Sequence, residues 1–158
     1  LPDFTSSERN FQLLAQVIGR VGRHASDTNV IVQTYQLDSP SIQFGIKQDY
    51  NGFYQHEIAI RKKTNFPPFV YILKLTCVYK TERSAIKNAR TEAAIIRVKF
   101  GQNIQILGPT PAFYERIGET YRWQIVIKSK KRGDLQKIAA EFTSKPHWRV
   151  DIDPPSLL

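Results

Sequence analysis

The sequence has 158 residues, enough for one ordinary domain or for a small domain with an attached segment. Hydrophobic residues make up 41% of it, which suffices for a core, and no apolar run approaches the roughly 18 residues that span a membrane. The single cysteine, Cys77, excludes an internal disulfide framework and a cysteine-rich zinc cluster, and favours a reducing compartment. Cys77 lies in an alternating apolar run, so we expect it to be a buried core residue and not a nucleophile.

The formal net charge of +9 is distributed unevenly. Residues 61–100 contain ten lysines and arginines against two glutamates, and the segment KSKKR follows at 128–132. Such asymmetry favours a polyanionic partner, with nucleic acid as the first candidate and an acidic protein tail as the second. A merely solubilising surface is the alternative, and composition does not distinguish DNA, RNA and an acidic peptide.

The first 65 residues are predicted to be mainly helical. SSERNFQLLAQVIGRVGR (6–23) predicts a helix, and NVIVQTY (29–35) predicts a short strand. A second helix begins at Pro40, capped by Asp38 or Ser39, and a third covers about 50–62. NFPPF (65–69) then ends the helical region, because neither proline can continue a helix. The apolar stripe of the first helix consists of Phe11, Leu14, Ala15 and Ile18.

The rest of the chain alternates strands and helices. FVYILKLTCVYK (69–80) predicts a strand, and Thr81 caps a helix that runs to about residue 100. NIQILGP (103–109) predicts a strand, and AFYERIGETYRWQIVIKS (112–129) predicts two strands joined by a turn at Gly118. A helix at 132–144 and a strand at 147–153 follow. We therefore predict an α+β fold with the ferredoxin-like split β-α-β pattern (βαββαβ), in which two helices cover one face of a four-stranded sheet.

The stretch QVIGRVGRH (16–24) carries the clearest chemistry. Gln16, Arg20 and Arg23 fall at i, i+4 and i+7 and project from one helix face. Two guanidinium groups and an amide on one face suit a phosphate that gains charge during phosphoryl transfer. On this short pattern alone, a basic helix end with flexible glycines is the alternative.

Longer blocks indicate a family. ERNFQLLAQVIGRVGRH (8–24) resembles motif VI of superfamily 2 helicases. The segments VIVQTYQLDSPSIQ, DYNGFYQHEIAIRKKTNFPPF, GPTPAFYERIGETYRWQIVIK and VDIDPPSLL together resemble the C-terminal part of PriA-type bacterial replication-restart helicases, the primosomal protein N′ family. This resemblance covers almost the whole chain, in order. Since the sequence contains no methionine either, we expect a piece of a longer protein.

The resemblance implies a parent that is an ATP-dependent, 3′→5′ DNA helicase, loads the primosome and resides in the bacterial cytoplasm. Residues 1–37 would end a RecA-like second motor lobe, 38–65 would be a helical linker, and 66–158 would resemble ribosomal protein S10. Gln16, Arg20 and Arg23 would sense ATP. ATP, Mg²⁺ and structural zinc are expected in the parent, but this sequence has no phosphate loop, acidic magnesium box or cysteine-rich segment. We therefore expect the chain alone to bind no cofactor and to lack ATPase activity.

Candidate binding residues lie in the S10-like part. One stripe of the helix after Thr81 carries a row of cations, and the strand face opposite Trp123, which we expect in the core, adds two polar residues. The DNA-binding candidates are Arg83, Lys87, Arg90, Arg97, Arg122 and Gln124. Three residues at the start of the next helix are candidates for binding an acidic protein tail: Lys131, Arg132 and Gln136.

The expected partners are branched or single-stranded DNA, the single-stranded-DNA-binding protein and other primosome proteins, with no membrane. His24, His56 and His147 have no partner at metal-ligand spacing, so we predict no metal site. Two alternatives remain open: a stand-alone S10-like nucleic-acid or ribosome-associated module, and an adaptor that binds acidic peptides.

Overall fold

The computed structural model describes residues 3–21 and 29–157 and divides the chain into two units. One unit is Phe4–Thr64, and the other comprises Leu1–Asp3 with Asn65–Leu158. The division follows Thr64, just before the two prolines of NFPPF. The assignment of residues 1–37 and 38–65 to a motor lobe and a linker stays a prediction.

Three helices form the first unit: α1 (Ser6–Val21), α2 (Pro40–Lys47) and α3 (Tyr50–Thr64). Phe11 of α1 is buried and stacks on Phe53 of α3 with ring centroids 4.3 Å apart. Arg61 adds a charged link, because its guanidinium lies 2.9 Å from both Glu8 and Glu57. The predicted starts of α2 and α3 are confirmed, with Ser39 preceding Pro40 at the first helical position.

The strand predicted at residues 29–35 is wrong: this segment is neither helix nor strand. A strand requires a neighbour for its backbone groups, and no strand in the described part of the chain pairs with it. Ile31 and Tyr35 are accordingly exposed.

The second unit contains β1 (Tyr71–Tyr79), α4 (Glu82–Phe100), β2 (Ile104–Ile117), β3 (Thr120–Ser129), α5 (Arg132–Thr143) and β4 (Trp148–Ile152). This order confirms the predicted α+β arrangement of strands and helices. The sheet is antiparallel throughout, with strand order β2-β3-β1-β4. Likeness to ribosomal protein S10 stays a prediction.

The core lies between one sheet face and the two helices. Leu73 and Leu75 of β1 and Ile125 and Ile127 of β3 are fully buried there, as the predicted alternation requires. Their partners on the helices are Ala93, Ile96, Leu135, Ile138, Ala139 and Phe142. Trp123, predicted in the core, packs against Cys77, Ala85 and Ala89.

The segments predicted as separate strands, one at 103–109 and one that begins at Ala112, form one 14-residue strand, β2. Its pairing with β3 shifts between Leu107 and Thr110 and again between Pro111 and Arg116. At the second shift, five steps along β2 correspond to two along β3, from Trp123 to Tyr121. The extra residues of β2 are not paired in register with β3 near the turn. The alternation of apolar and polar residues in the sequence did not reveal this irregularity.

Candidate nucleic-acid interface

A row of four exposed cations follows the outer side of α4. The helix begins after Thr81, whose side chain accepts a hydrogen bond from the Ser84 amide, and its inner side buries Ala85, Ala89, Ala93 and Ile96. The outer side therefore presents what we call the α4 row: Arg83, Lys87, Arg90 and Arg97.

Within the described residues, no member of the α4 row forms an ion pair. Like charges at i, i+4, such as Arg83 and Lys87, repel one another and weaken a helix slightly. The acidic residue Glu92 does not relieve this repulsion, because it pairs with Lys145 at 2.6 Å on another side of the helix. The α4 row is thus a line of about 21 Å along which cations are available to an anionic partner.

Gln124 corrects the sequence-based interpretation of β3. It does lie on the face opposite Trp123, but its side chain is only 2% exposed and is not available to DNA. The physical reason is that this part of the sheet face is covered, since Thr76, its register partner on β1, and Val126 are buried as well. Arg122, two residues earlier on the same face, is half-buried and stays a candidate; its Nε is buried without a hydrogen-bond partner in the described part of the chain.

The same sheet face is more buried than the alternation predicted. Ile72 and Val126 are fully buried there, and Lys74, Thr76 and Lys128 are nearly so. The Lys128 ammonium lies 3.3 Å from the centroid of the Phe66 ring. Burial lowers the pKa of Lys128. The polar residues of this face were expected to be exposed to solvent. The sequence signal for burial that was missed is the apolar pair Ile72 and Val126, which lies among them.

The three residues predicted to grip an acidic tail, Lys131, Arg132 and Gln136, are exposed around the start of α5. The structure adds two carboxylates that compete with an incoming anion. Arg132 lies 3.4 Å from the carboxylate of Asp153, and Asp134 occupies the first turn of the helix. Lys131 borders a cavity whose lining also includes Lys128, Lys130 and Asp134.

Gln16 and Arg20 are exposed on one side of α1, as the motif spacing predicts. Arg23, the third residue of that set, lies outside the described residues, as does His24. The inner side of α1 carries Phe11, so the polar side remains open to a ligand or another part of a longer protein.

No group of three or more histidine, cysteine, aspartate and glutamate side chains suited to a metal occurs in residues 3–21 and 29–157. Cys77 is fully buried, and desolvation raises the pKa of its thiol to about 11. A thiol with this pKa is a poor nucleophile at neutral pH. In the same described ranges, none of the helices has the length and apolar character needed to cross a membrane.

Two exposed aromatic residues of β2 were not predicted from the sequence as site residues. Phe113 and Tyr114 are 61% and 65% exposed, and their rings meet edge to face at 4.9 Å. In a regular strand, adjacent side chains point to opposite faces, so one of the two would be expected to face the core. The sequence signal for this site was the adjacent aromatic pair, because it lies in a segment where the alternation of apolar and polar residues is interrupted.

Comparison with known proteins agrees with the resemblance in the sequence. A family model described as the primosomal protein N C-terminal domain matches residues 62–155. The replication restart protein PriA of Bacillus subtilis is 37% identical over 97% of this chain and 19% of its own length. PriA of Synechocystis is 35% identical over 98% of the chain and 19% of its own length. PriA of Borreliella burgdorferi is 34% identical over 100% of the chain and 25% of its own length.

The chain thus spans about a fifth to a quarter of the length of these curated relatives. The family match covers most of the second structural unit, and the relatives align with α1 and its motif as well. The chain therefore belongs to the primosomal protein N C-terminal domain family, and the predicted resemblance to the C-terminal part of PriA is confirmed.

Proposed function

We propose that this chain is a DNA-binding part of a replication-restart protein and that the α4 row contacts DNA phosphates. The observation that carries the proposal is the line of four exposed cations without ion-pair partners among the described residues. Lysine and arginine that neutralise phosphates release condensed counterions, and this release drives binding that is independent of sequence. The net charge of +9 acts in the same direction.

The whole protein is proposed to be an ATP-dependent 3′→5′ DNA helicase that uses ATP, Mg²⁺ and a structural zinc, as the family resemblance implies. In it, α1 would belong to the second motor lobe, and Gln16, Arg20 and Arg23 would sense the nucleotide. Here Gln16 and Arg20 are exposed and available to a phosphate. The chain alone carries no phosphate loop, so we expect it to be inactive as an ATPase. The strand order β2-β3-β1-β4 supports the further proposal of an S10-like fold.

A salt titration tests the DNA-binding proposal. Fluorescence anisotropy with a labelled forked DNA, repeated at several salt concentrations, gives the slope of log affinity against log salt. The triple variant Arg83→Ala, Lys87→Ala, Arg90→Ala should bind more weakly and reduce the magnitude of that slope by about 3. Lys99→Ala is the matched control, because Lys99 lies off the row and pairs with Glu141 at 3.1 Å. An unchanged slope in the triple variant would contradict the proposal.

An acidic protein tail is the second proposed partner, as on the single-stranded-DNA-binding protein. The lysines that line the cavity beside Lys131 favour it, whereas Asp134 in the same lining and the ion pair of Arg132 with Asp153 oppose it. Competition between forked DNA and an acidic peptide, with Lys131→Ala and Gln136→Ala, separates the two partners. Peptide binding that these variants leave unchanged would exclude this site as the tail-binding one.

A further inference from the structure

We propose that the tip of the β2–β3 hairpin, residues 112–121, is a second DNA contact, one that stacks on unpaired bases through Phe113 and Tyr114. This inference rests on the proposed function, since it assumes that the α4 row holds the DNA backbone nearby. Nothing in a phosphate-binding row requires exposed aromatic rings, so the two features make separate contributions to binding.

The geometry of the hairpin explains why both rings face solvent. Between the register pairs Pro111–Trp123 and Arg116–Tyr121, β2 contains three more residues than β3. These extra residues release Phe113 and Tyr114 from the strand alternation that would direct one of them toward the helices. The rings contact each other edge to face at 86° and keep more than half of their surfaces exposed. Exposed aromatic faces of this kind bind bases by stacking, without sequence preference.

The tip lies at the end of the sheet where the α4 row begins. Tyr121, at the start of β3, packs with Trp123 against Ala85 and Ala89 in the first turns of α4. The first cations of the α4 row, Arg83 and Lys87, occur in those same turns. The proposal therefore directs the bases of a strand whose phosphates follow the α4 row toward this end of the sheet.

The charge of the tip distinguishes its contribution from that of the helix. Residues 112–121 contain two acidic residues, Glu115 and Glu119, and one cation, Arg116. Arg116 is also engaged within the tip, because its guanidinium lies 5.5 Å from the centroid of the Tyr121 ring and its Nε donates a hydrogen bond to Gly118 O. The charge balance of the tip is therefore −1, which leaves no surplus cation to release counterions, so its binding energy should depend little on salt. This balance favours the face of a base over a phosphate as the ligand.

The test compares single-stranded DNA with blunt duplex DNA at several salt concentrations. The double variant Phe113→Ala, Tyr114→Ala should bind single-stranded DNA about 10-fold more weakly at every concentration, with an unchanged salt slope. Its affinity for blunt duplex should stay the same. A 2-aminopurine placed in the single strand should be quenched by the unaltered chain and not by the variant. Tyr35→Ala, which removes a fully exposed ring in the other unit, is the matched control.

A second variant separates stacking from general apolar contact. Phe113→Leu, Tyr114→Leu keeps apolar side chains but removes the aromatic faces, so it should behave like the alanine variant. Full binding by the leucine variant, or by the alanine variant, would overturn the proposal. If the chain binds DNA with a steep salt slope and the tip variants have no effect, only the hairpin proposal fails. If no DNA binds even at low salt, the proposed function itself fails.

Discussion

The carboxylate of Asp3 accepts a hydrogen bond from the backbone amide of Leu157 at 3.3 Å, across 154 positions of the sequence. Its other oxygen accepts a hydrogen bond from the Ser156 hydroxyl at 3.0 Å. Asp3 and Leu157 are both buried. Asp3, which belongs to the sheet-containing unit, is therefore held to the last described residues of that same unit.

Asp3→Ala should lower the free energy of unfolding by about 2 kcal/mol, because hydrogen bonds to a charged group are lost and the Leu157 amide stays buried without a partner. Asp3→Asn keeps one acceptor and should lose about half as much. Urea unfolding measures both effects. Asp151→Ala removes an exposed carboxylate of the same unit and should change stability by less than about 0.5 kcal/mol. Equal values for Asp3→Ala and Asp151→Ala would show that the contact contributes nothing.

The start of α4 positions the proposed DNA-binding row and can be tested through its cap. The Thr81 hydroxyl accepts a hydrogen bond from the Ser84 amide at 3.3 Å. Thr81→Ala should destabilise the chain by about 1 kcal/mol. Thr91→Ala, at an exposed interior position of the same helix, should be neutral or slightly stabilising, because alanine has the higher helix propensity. The same urea titration compares the two, and a loss in Thr91→Ala as large as in Thr81→Ala would argue against a capping role.

Much of the fold was predictable because the regular elements carry strong periodicity. Leu73, Leu75 and Cys77 alternate along β1, and the stripe of α4 that includes Ala89 and Ile96 has helical spacing. Thr81, as a helix-capping residue, marked the boundary between β1 and α4. These signals are local, so one sequence suffices to read them.

The exposure of individual site residues was less predictable, because it depends on the neighbours that a residue acquires. The α4 row is exposed as the helical spacing indicated, whereas Gln124 is buried because its part of the sheet face, including Thr76 and Val126, is covered. The strand at 29–35 failed for a related reason. Its β-branched residues favour extended backbone, but a strand also needs a partner, which propensity does not supply.

The helix-facing core should respond strongly to truncation at Phe142. This ring is 1% exposed and meets the indole of Trp148 edge to face at 4.9 Å. Phe142→Ala should cost about 3–5 kcal/mol, through lost apolar burial and the cavity left behind. Phe113→Ala is the matched control, since Phe113 is exposed and its loss should change stability by less than about 0.5 kcal/mol. Unfolding followed by tryptophan fluorescence gives both values; if Phe113→Ala proved as costly, that ring would have a structural role instead of the proposed stacking one.

Cys77 should be nearly inert in the folded chain. Its thiol is buried, donates a hydrogen bond to Ala85 O, and has a pKa raised from 9.0 to about 11, chiefly by desolvation. At pH 8 only about one thiol in a thousand is then ionised, so reaction with Ellman's reagent should be at least about 100-fold slower than in urea.

The raised pKa of Cys77 also predicts the sign of a pH effect on stability. The folded state favours the neutral thiol, so the contribution is fully present below pH 9 and is lost as the pH rises toward 11. Tyr79, whose pKa burial also raises, titrates in the same direction, so the effect of Cys77 must be taken as a difference between two chains. The free energy of unfolding of the unaltered chain minus that of Cys77→Ala should therefore decrease between pH 9 and 11. A difference that stays constant over this range, or rapid labelling of the folded chain at pH 8, would contradict a buried neutral thiol.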